Sequence, residues 1–268
     1  MKAGFKRVPA LDKSLAILEL IALAGIPVSI NEVVKKLRLN KSTVFNIMHT
    51  LADLNVLDRG PDSLFRLGTR MYVLGSAAAK SNSLIHTVHP YLVEINRKTK
   101  LSAFLGIRSG LKAIIIDKVD TALDLKISSE VGMRLPLFGG AGGKALLSAL
   151  AEEEIDSLLA EARLKPYTSK TITDKKAFRE AVFKLREEGI AIDREEYIEG
   201  VVALAVPLKT FRADFQAAIW AAGLSQHVVG EKIAEYSNFL KDTAAEINSR
   251  LEAAAGPFAL GARQGESP

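Results

Sequence analysis

"SINEVVKKLRLNKSTVFNIMHTL", residues 29–51, holds two apolar stripes on either side of a three-residue turn. In the first part, Ile30, Val33, Val34 and Leu37 recur at three- and four-residue intervals, the spacing of one helical face. Ser29 is placed to cap that helix. After the turn "RLN", Val44, Ile47, Met48 and Leu51 form the second stripe, with Asn40 or Ser42 as its N-cap. Short helix, tight turn and longer helix follow one another in the order of a helix-turn-helix. Lys41, Ser42, Thr43, Phe45, Asn46 and His49 lie at the start and outer side of the longer helix. Short polar and donor side chains there suit base edges and phosphates in a major groove. A helix kept only for packing more often shows Glu–Lys pairs outside, so an ordinary solvated face is the weaker alternative.

Upstream, "ALDKSLAILELIAL" (residues 10–23) carries Leu11, Leu15, Leu18, Ile21 and Ala22 on one helical face, and Gly25 and Pro27 end it. Downstream, "LNVLDRGPDSLFRL" (residues 54–67) reads as two short strands around the turn "GPDS", flanked by Arg59 and Arg66. A basic hairpin after a helix-turn-helix is the wing that touches backbone phosphates. The four elements together predict a winged helix-turn-helix with double-stranded DNA as its partner.

Charge is distributed accordingly. Residues 1–75 hold 11 Lys and Arg against 6 Asp and Glu, while the remainder holds 25 of each. The entire net charge of +5 therefore falls on the first segment, as expected of a face turned to a polyanion. A chain of 268 residues, 25% charged and 48% hydrophobic, fits one large or two ordinary globular domains. No apolar run is long enough for a membrane helix. The basic N-terminus is followed by Asp12, Lys13 and Glu19, which break the apolar core a signal peptide needs. With no cysteine, disulfides, thiol nucleophiles and cysteine zinc sites are excluded, and a cytoplasmic location is expected.

The domain plan expected is a DNA-binding domain over 1–68, a linker helix over 69–83 and a second domain over 84–252, with a disordered tail at 253–268. In the second domain, residues 84–100 read as a helix, and "SAFLGIRS", "AIIIDKV" and "DLKISSEV" as strands. Helical stretches follow near 144–162 and 174–188, then strands "VVALAVPL" and "DFQAAIWAA", then a helix over 230–251. Strands in hairpin order with flanking helices predict an α+β domain on an antiparallel sheet, and so an α+β two-domain chain.

"LPLFGGAGGKALLSAL", residues 135–150, resembles a phosphate loop, since bare backbone N–H groups at a helix start favour an anion. A P-loop needs glycine where Phe138 stands and a hydroxyl where Ala145 stands, so nucleotide hydrolysis is not expected. "IDREEYIEG" offers Asp193, Glu195, Glu196 and Glu199. A carboxylate pair can do glycosidase or metal chemistry, but Asp193 with Glu196 three residues on is also a capping-box start to a short turn. His86 and His89 are spaced for two metal ligands, yet no third ligand follows at zinc-site spacing. His227 is isolated, and no serine sits in a G-x-S-x-G elbow. No metal, cofactor or catalytic residue is expected.

In order along the chain, "LDKSLAILELIA", "LNKSTVFNIMHTL", "FRLGTRMYVLG", "GMRLPLFGGAGGKALLSAL" and "GIAIDREEYIEGVVALAVPL" resemble the IclR family of bacterial transcription regulators, over roughly residues 9 to 251. The resemblance implies a winged helix-turn-helix, a linker helix and a GAF-like domain that binds a small effector, in chains that form dimers or dimers of dimers. It implies an effector set of Leu135, Leu137, Ala141, Gly142, Asp193, Ala203, Trp220 and Ala222, beside the DNA set read from the helix face and hairpin: Lys41, Ser42, Thr43, Phe45, Asn46, His49, Arg59 and Arg66.

Three departures bear on the ligand. Ala203 stands where many relatives carry cysteine or a polar residue, and Trp220 and Ala222 replace a frequent pair of serines. A more apolar effector, an aromatic acid among them, is therefore expected over a very small oxyacid. The alternative is that Trp220 merely fills the pocket. The reading as a whole is a ligand-responsive DNA-binding regulator, repressor by default, on a pseudo-palindromic operator. An enzyme with a fused DNA-binding headpiece and a ligand-blind architectural DNA binder are the competing readings.

Overall fold

The computed structural model describes residues 6–80, 83–122, 129–209 and 215–255. The chain divides between Asn82 and Ser83 into two compact units.

The first unit comprises α1 (Pro9–Ala24), α2 (Ile30–Leu37), α3 (Lys41–Asp53), β1 (Leu57–Arg59), β2 (Phe65–Leu67) and α4 (Thr69–Lys80). Ser29 caps α2 through a full capping box: its Oγ accepts from Glu32 N at 3.3 Å, while Glu32 Oε2 accepts from Ser29 N at 2.7 Å. The turn into α3 is made by Arg38 in the left-handed region at φ 54°. Asn40 is the N-cap of α3, without a side-chain cap. Ile17, Ile21, Val28, Val33, Val44, Met48, Leu57 and Phe65 form the core. Val28 exchanges two backbone hydrogen bonds with Phe65, at 2.9 and 2.8 Å, which docks the hairpin onto the helices.

The inward face of α1 differs from the expected stripe. Ile17 and Ile21 are buried, whereas Leu11 and Leu15 are exposed. Two short helices and a two-stranded hairpin are too small to cover both sides of α1, and the pair of isoleucines takes the covered side.

The second unit begins with α5 (Ser83–Thr99), β3 (Ser102–Ser109), β4 (Lys112–Val119) and β5 (Arg134–Pro136). It continues through α6 (Gly140–Ser148), α7 (Glu152–Glu161), α8 (Lys175–Glu188), β6 (Ala191–Arg194), β7 (Val201–Leu208), β8 (Ala217–Leu224) and α9 (Glu231–Ala255). All strand pairs are antiparallel, in the order β5-β4-β3-β8-β7-β6. Alternation sorts side chains between two faces. Ala103, Leu105, Leu204, Val206, Ile219 and Ala221 pack with α5 and α9. Phe104, Ala203, Ala205, Ala218, Trp220 and Ala222 pack with α6, α7 and α8 on the other side. The unit is therefore an α+β domain with helices on both faces of an antiparallel sheet.

Two short strands, β5 and β6, are not among the expected elements. The expected strand over 124–131 falls largely outside the described residues, and residues 129–131 form none. Of the expected tail, residues 253–255 continue α9, and 256–268 lie outside the described residues.

Candidate functional site: a DNA-facing helix and an apolar pocket

On α3, Lys41, Ser42, Phe45 and Asn46 are exposed, and Thr43 and His49 are half-buried. Val44 and Met48 occupy the opposite, buried side. Asn40 makes no side-chain cap to the first turn of α3, which leaves first-turn N–H groups and the positive end of the helix dipole without that partner. An aromatic ladder runs from this face to the hairpin. The Phe45 and His49 rings lie 4.2 Å apart, and His49 meets the fully buried Phe65 edge-on at 5.7 Å. The Arg59 guanidinium sits 6.0 Å from the Phe65 ring and donates to Ser63 Oγ at 3.0 Å. Arg66 stands opposite Asp58 across the hairpin, 3.9 Å away and exposed, a pairing too weak to hold its charge back from a phosphate. Arg70, by contrast, donates to Leu54 O at 3.2 Å and ties the start of α4 to the end of α3.

In the second unit, the loop before α6 opens a cavity of about 730 Å³, its mouth included. Of the expected set, Leu135, Ala141, Gly142 and Asp193 line it, as do Ala203, Trp220 and Ala222. Leu137 does not. It is fully buried in the core behind the loop, and its carbonyl lies so close to Gly143 that no Cβ fits there. Sequence reasoning missed Phe104, Met133, Tyr197 and Ile198, which also line the cavity. Tyr197 stood inside the quoted "IDREEYIEG", and the alternation of "SAFLGIRS" places Phe104 on the same sheet face as Trp220.

Trp220 forms the floor. It pairs with Phe104 and Ala205 on the neighbouring strands and stacks on Phe104, with centroids 5.6 Å apart and planes at 22°. A Cβ on Gly106 would collide with the indole, and one on Gly142 would stand 3.2 Å from it. Two glycines and a ring of alanines thus make room for a single large side chain. Above the floor, the first turn of α6 has no side-chain cap, and Gly140, at φ 73°, carries the chain into it. Its backbone turn is the one glycine adopts freely.

Asp193 closes one side. Its Oδ1 accepts from Glu196 N at 2.6 Å, and its Oδ2 lies 2.9 Å from where a Gly140 Cβ would stand. Burial, with the nearby Glu196 charge adding to it, pushes the carboxyl up to about 6, against backbone N–H groups and Lys144, which pull it down. The returning half of the expected capping box is absent, because Glu196 pairs with Lys144 instead, at 2.7 and 2.9 Å. Lys144 also donates to Ile192 O at 3.3 Å. The lysine that suggested a phosphate loop is a buried structural cation. Thr168 and Thr171 donate to the carbonyls of Glu195 and Glu196, each at 2.6 Å, fixing the turn that carries Tyr197 and Ile198.

His86 and His89 are both exposed, and His89 Nδ1 meets Asp117 Oδ2 at 2.8 Å. His227 lies in a single 3-10 turn, Ser225–His227. Among the described residues, no three His, Cys, Asp or Glu gather as a metal site, and no helix is long and apolar enough to cross a membrane.

Two family models match this chain: the IclR helix-turn-helix domain over residues 10–61, and the C-terminal domain of the bacterial transcriptional regulator IclR over 76–249. The chain belongs to the IclR family. Among curated IclR relatives, the transcriptional regulator XynR of Escherichia coli is 27% identical, with 91% of this chain and 97% of that protein covered. The transcriptional repressor AllR of Escherichia coli is 25% identical, covering 94% and 93%. Among solved structures, an IclR regulator from Alicyclobacillus acidocaldarius matches with TM-score 0.83 and 25% identity, covering 92% of this chain and all of that one. An IclR homolog from Microbacterium hydrocarbonoxydans, complexed with 4-hydroxybenzoate, matches in fold with TM-score 0.80 at 19% identity, covering 91% and 99%. The chain is thus a DNA-binding transcriptional regulator with a ligand-binding C-terminal domain, not an enzyme.

Proposed function

We propose that the protein is a cytoplasmic repressor that releases or grips its operator in response to a small aromatic acid. The carrying observation is the pocket: a Trp220–Phe104 stacked floor beneath a helix start whose N-cap, Gly139, supplies no side-chain cap. An aromatic ring suits the floor, and a carboxylate suits the helix N-terminus. Ala203 and Ala222 supply no hydrogen bond for a very small oxyacid. The 4-hydroxybenzoate bound by a neighbour of the same fold points the same way. AllR, a repressor, supports the sign.

In this reading, residues 1–68 bind DNA, 69–83 link, and 84–252 sense the effector. Lys41, Arg59 and Arg66 contact phosphates, while Ser42, Thr43, Asn46 and His49 meet base edges. Two α3 helices of a dimer enter successive major grooves of a pseudo-palindrome. Support for self-association comes from the apolar residues α1 and α4 leave exposed: Leu11, Leu15 and Leu23 on one, Tyr72, Val73 and Leu74 on the other. An uncovered apolar surface of this kind marks an interaction site. The ligand acts on DNA affinity by binding one arrangement of the dimer better than another.

Calorimetry with benzoate, 4-hydroxybenzoate and glyoxylate tests the ligand class. Tighter binding of an aromatic acid is expected; tighter binding of glyoxylate would refute it.

A further inference from the structure

Phe45 is 48% exposed on the outer side of α3, beside Ser42 and Asn46 and one turn before His49. A bare aromatic ring there is out of keeping with its neighbours, which are polar or cationic. The ring is also not loose. It packs against the His49 ring, centroids 4.2 Å apart and planes tilted by 39°, and His49 in turn abuts Phe65, a side chain fully buried between the hairpin and the helices. An apolar surface held rigidly amid hydrogen-bond donors matches the major-groove edge of one base, thymine, whose 5-methyl is the groove's only apolar group. The positive surroundings (Lys41 on the same turn, Arg38 in the preceding loop, Arg59 at the end of the ladder) fit a duplex rather than an apolar protein partner.

We propose that Phe45 reads the methyl group of a thymine in each operator half-site, with His49, besides its own place at the base edges, holding the ring in place. This rests on the reading of α3 as the helix that enters the major groove. The ring shields the methyl from water while Ser42 and Asn46 satisfy polar edges of neighbouring bases. Burial of one methyl corresponds to a three- to fivefold preference for thymine over the same base without its methyl.

The test uses the full-length protein and duplexes selected by it from a randomised pool. Each thymine of a selected duplex is replaced singly by deoxyuridine, which pairs identically but lacks the methyl, and affinity is measured at fixed salt. Wild-type protein is expected to lose three- to fivefold at one thymine per half-site. Phe45→Ala binds thymine and deoxyuridine duplexes equally at that position, whereas Phe45→Leu keeps part of the difference. His49→Ala reduces the discrimination without abolishing it. Indifference of the wild type to every deoxyuridine, or an undiminished penalty in Phe45→Ala, overturns the proposal while leaving DNA binding intact. Failure to select any duplex would instead remove the reading of α3, and this inference with it.

Discussion

The Lys144 ammonium lies 2.7 and 2.9 Å from the two carboxylate oxygens of Glu196, and both side chains are largely withdrawn from solvent. Breaking a buried pair strands the remaining charge, which costs about 3–5 kcal/mol, whereas apolar replacement of both is often near neutral. Lys144→Ala and Glu196→Ala are therefore each expected to lower unfolding free energy by about that amount. Lys144→Met with Glu196→Leu recovers most of the loss. Urea denaturation of the three variants measures this; additive losses in the double variant would show that the pair is not a unit.

Asp193 gives the pH dependence. Its carboxyl is raised from 3.8 to about 6, so the folded state holds the proton more tightly than the unfolded chain does. The favourable contribution is full below the ordinary carboxylate value and is lost as pH climbs through about 6. Across that window the loss is about 3 kcal/mol. Asp193→Asn keeps an oxygen to accept from Glu196 N and removes the charge. The variant is expected to gain on the wild type progressively between about pH 4 and 6, read from denaturation midpoints over that range. A difference that does not change with pH would contradict the assignment.

Gly106 and Gly142 leave the space that the Trp220 ring occupies. Gly106→Ala pushes a methyl into the indole and is expected to cost about 1–3 kcal/mol. Trp220→Leu in the same chain relieves the clash. Because Trp220 is the chain's only tryptophan, its fluorescence reports on the pocket floor directly. A ligand stacking there quenches or shifts the emission of the wild type, and the effect saturates with the affinity found by calorimetry.

Much of the first unit was legible because helix spacing, a cap and a hairpin turn are local signals. Ser29 as a cap, the stripe Val44–Met48 and the strands flanking "GPDS" all needed only neighbours in sequence. What escaped depends on contacts between distant segments. Lys144 and Glu196 are 52 residues apart, and nothing in "GGAGGKALL" tells a buried ion pair from a phosphate lysine. Leu137 has the right neighbours for a pocket residue, but the pleat of the approach to α6 turns it into the core. Leu11 and Leu15 fit the period of α1, yet which side of a helix is covered depends on how much protein surrounds it. The strands β5 and β6 are too short, at three and four residues, to show alternation.

Salt dependence separates the roles on the DNA-facing side. With Arg59 on a phosphate as proposed, Arg59→Gln is expected to lower the slope of log affinity against log salt by about 1, with sequence preference unchanged. Asn46→Ala instead relaxes preference at one base pair, at about 1–3 kcal/mol, and leaves the slope alone. Binding assays at several salt concentrations, on matched and mismatched duplexes, read both quantities. An unchanged slope in Arg59→Gln would take the hairpin off the DNA.

The coupling of pocket to operator is tested most directly by footprinting the DNA flanking this protein's gene, with and without a panel of aromatic acids. The account predicts protection at a pseudo-palindromic site that one compound abolishes, at a concentration that also changes Trp220 emission. Protection that stays identical with every compound, including any that binds the pocket, would contradict it.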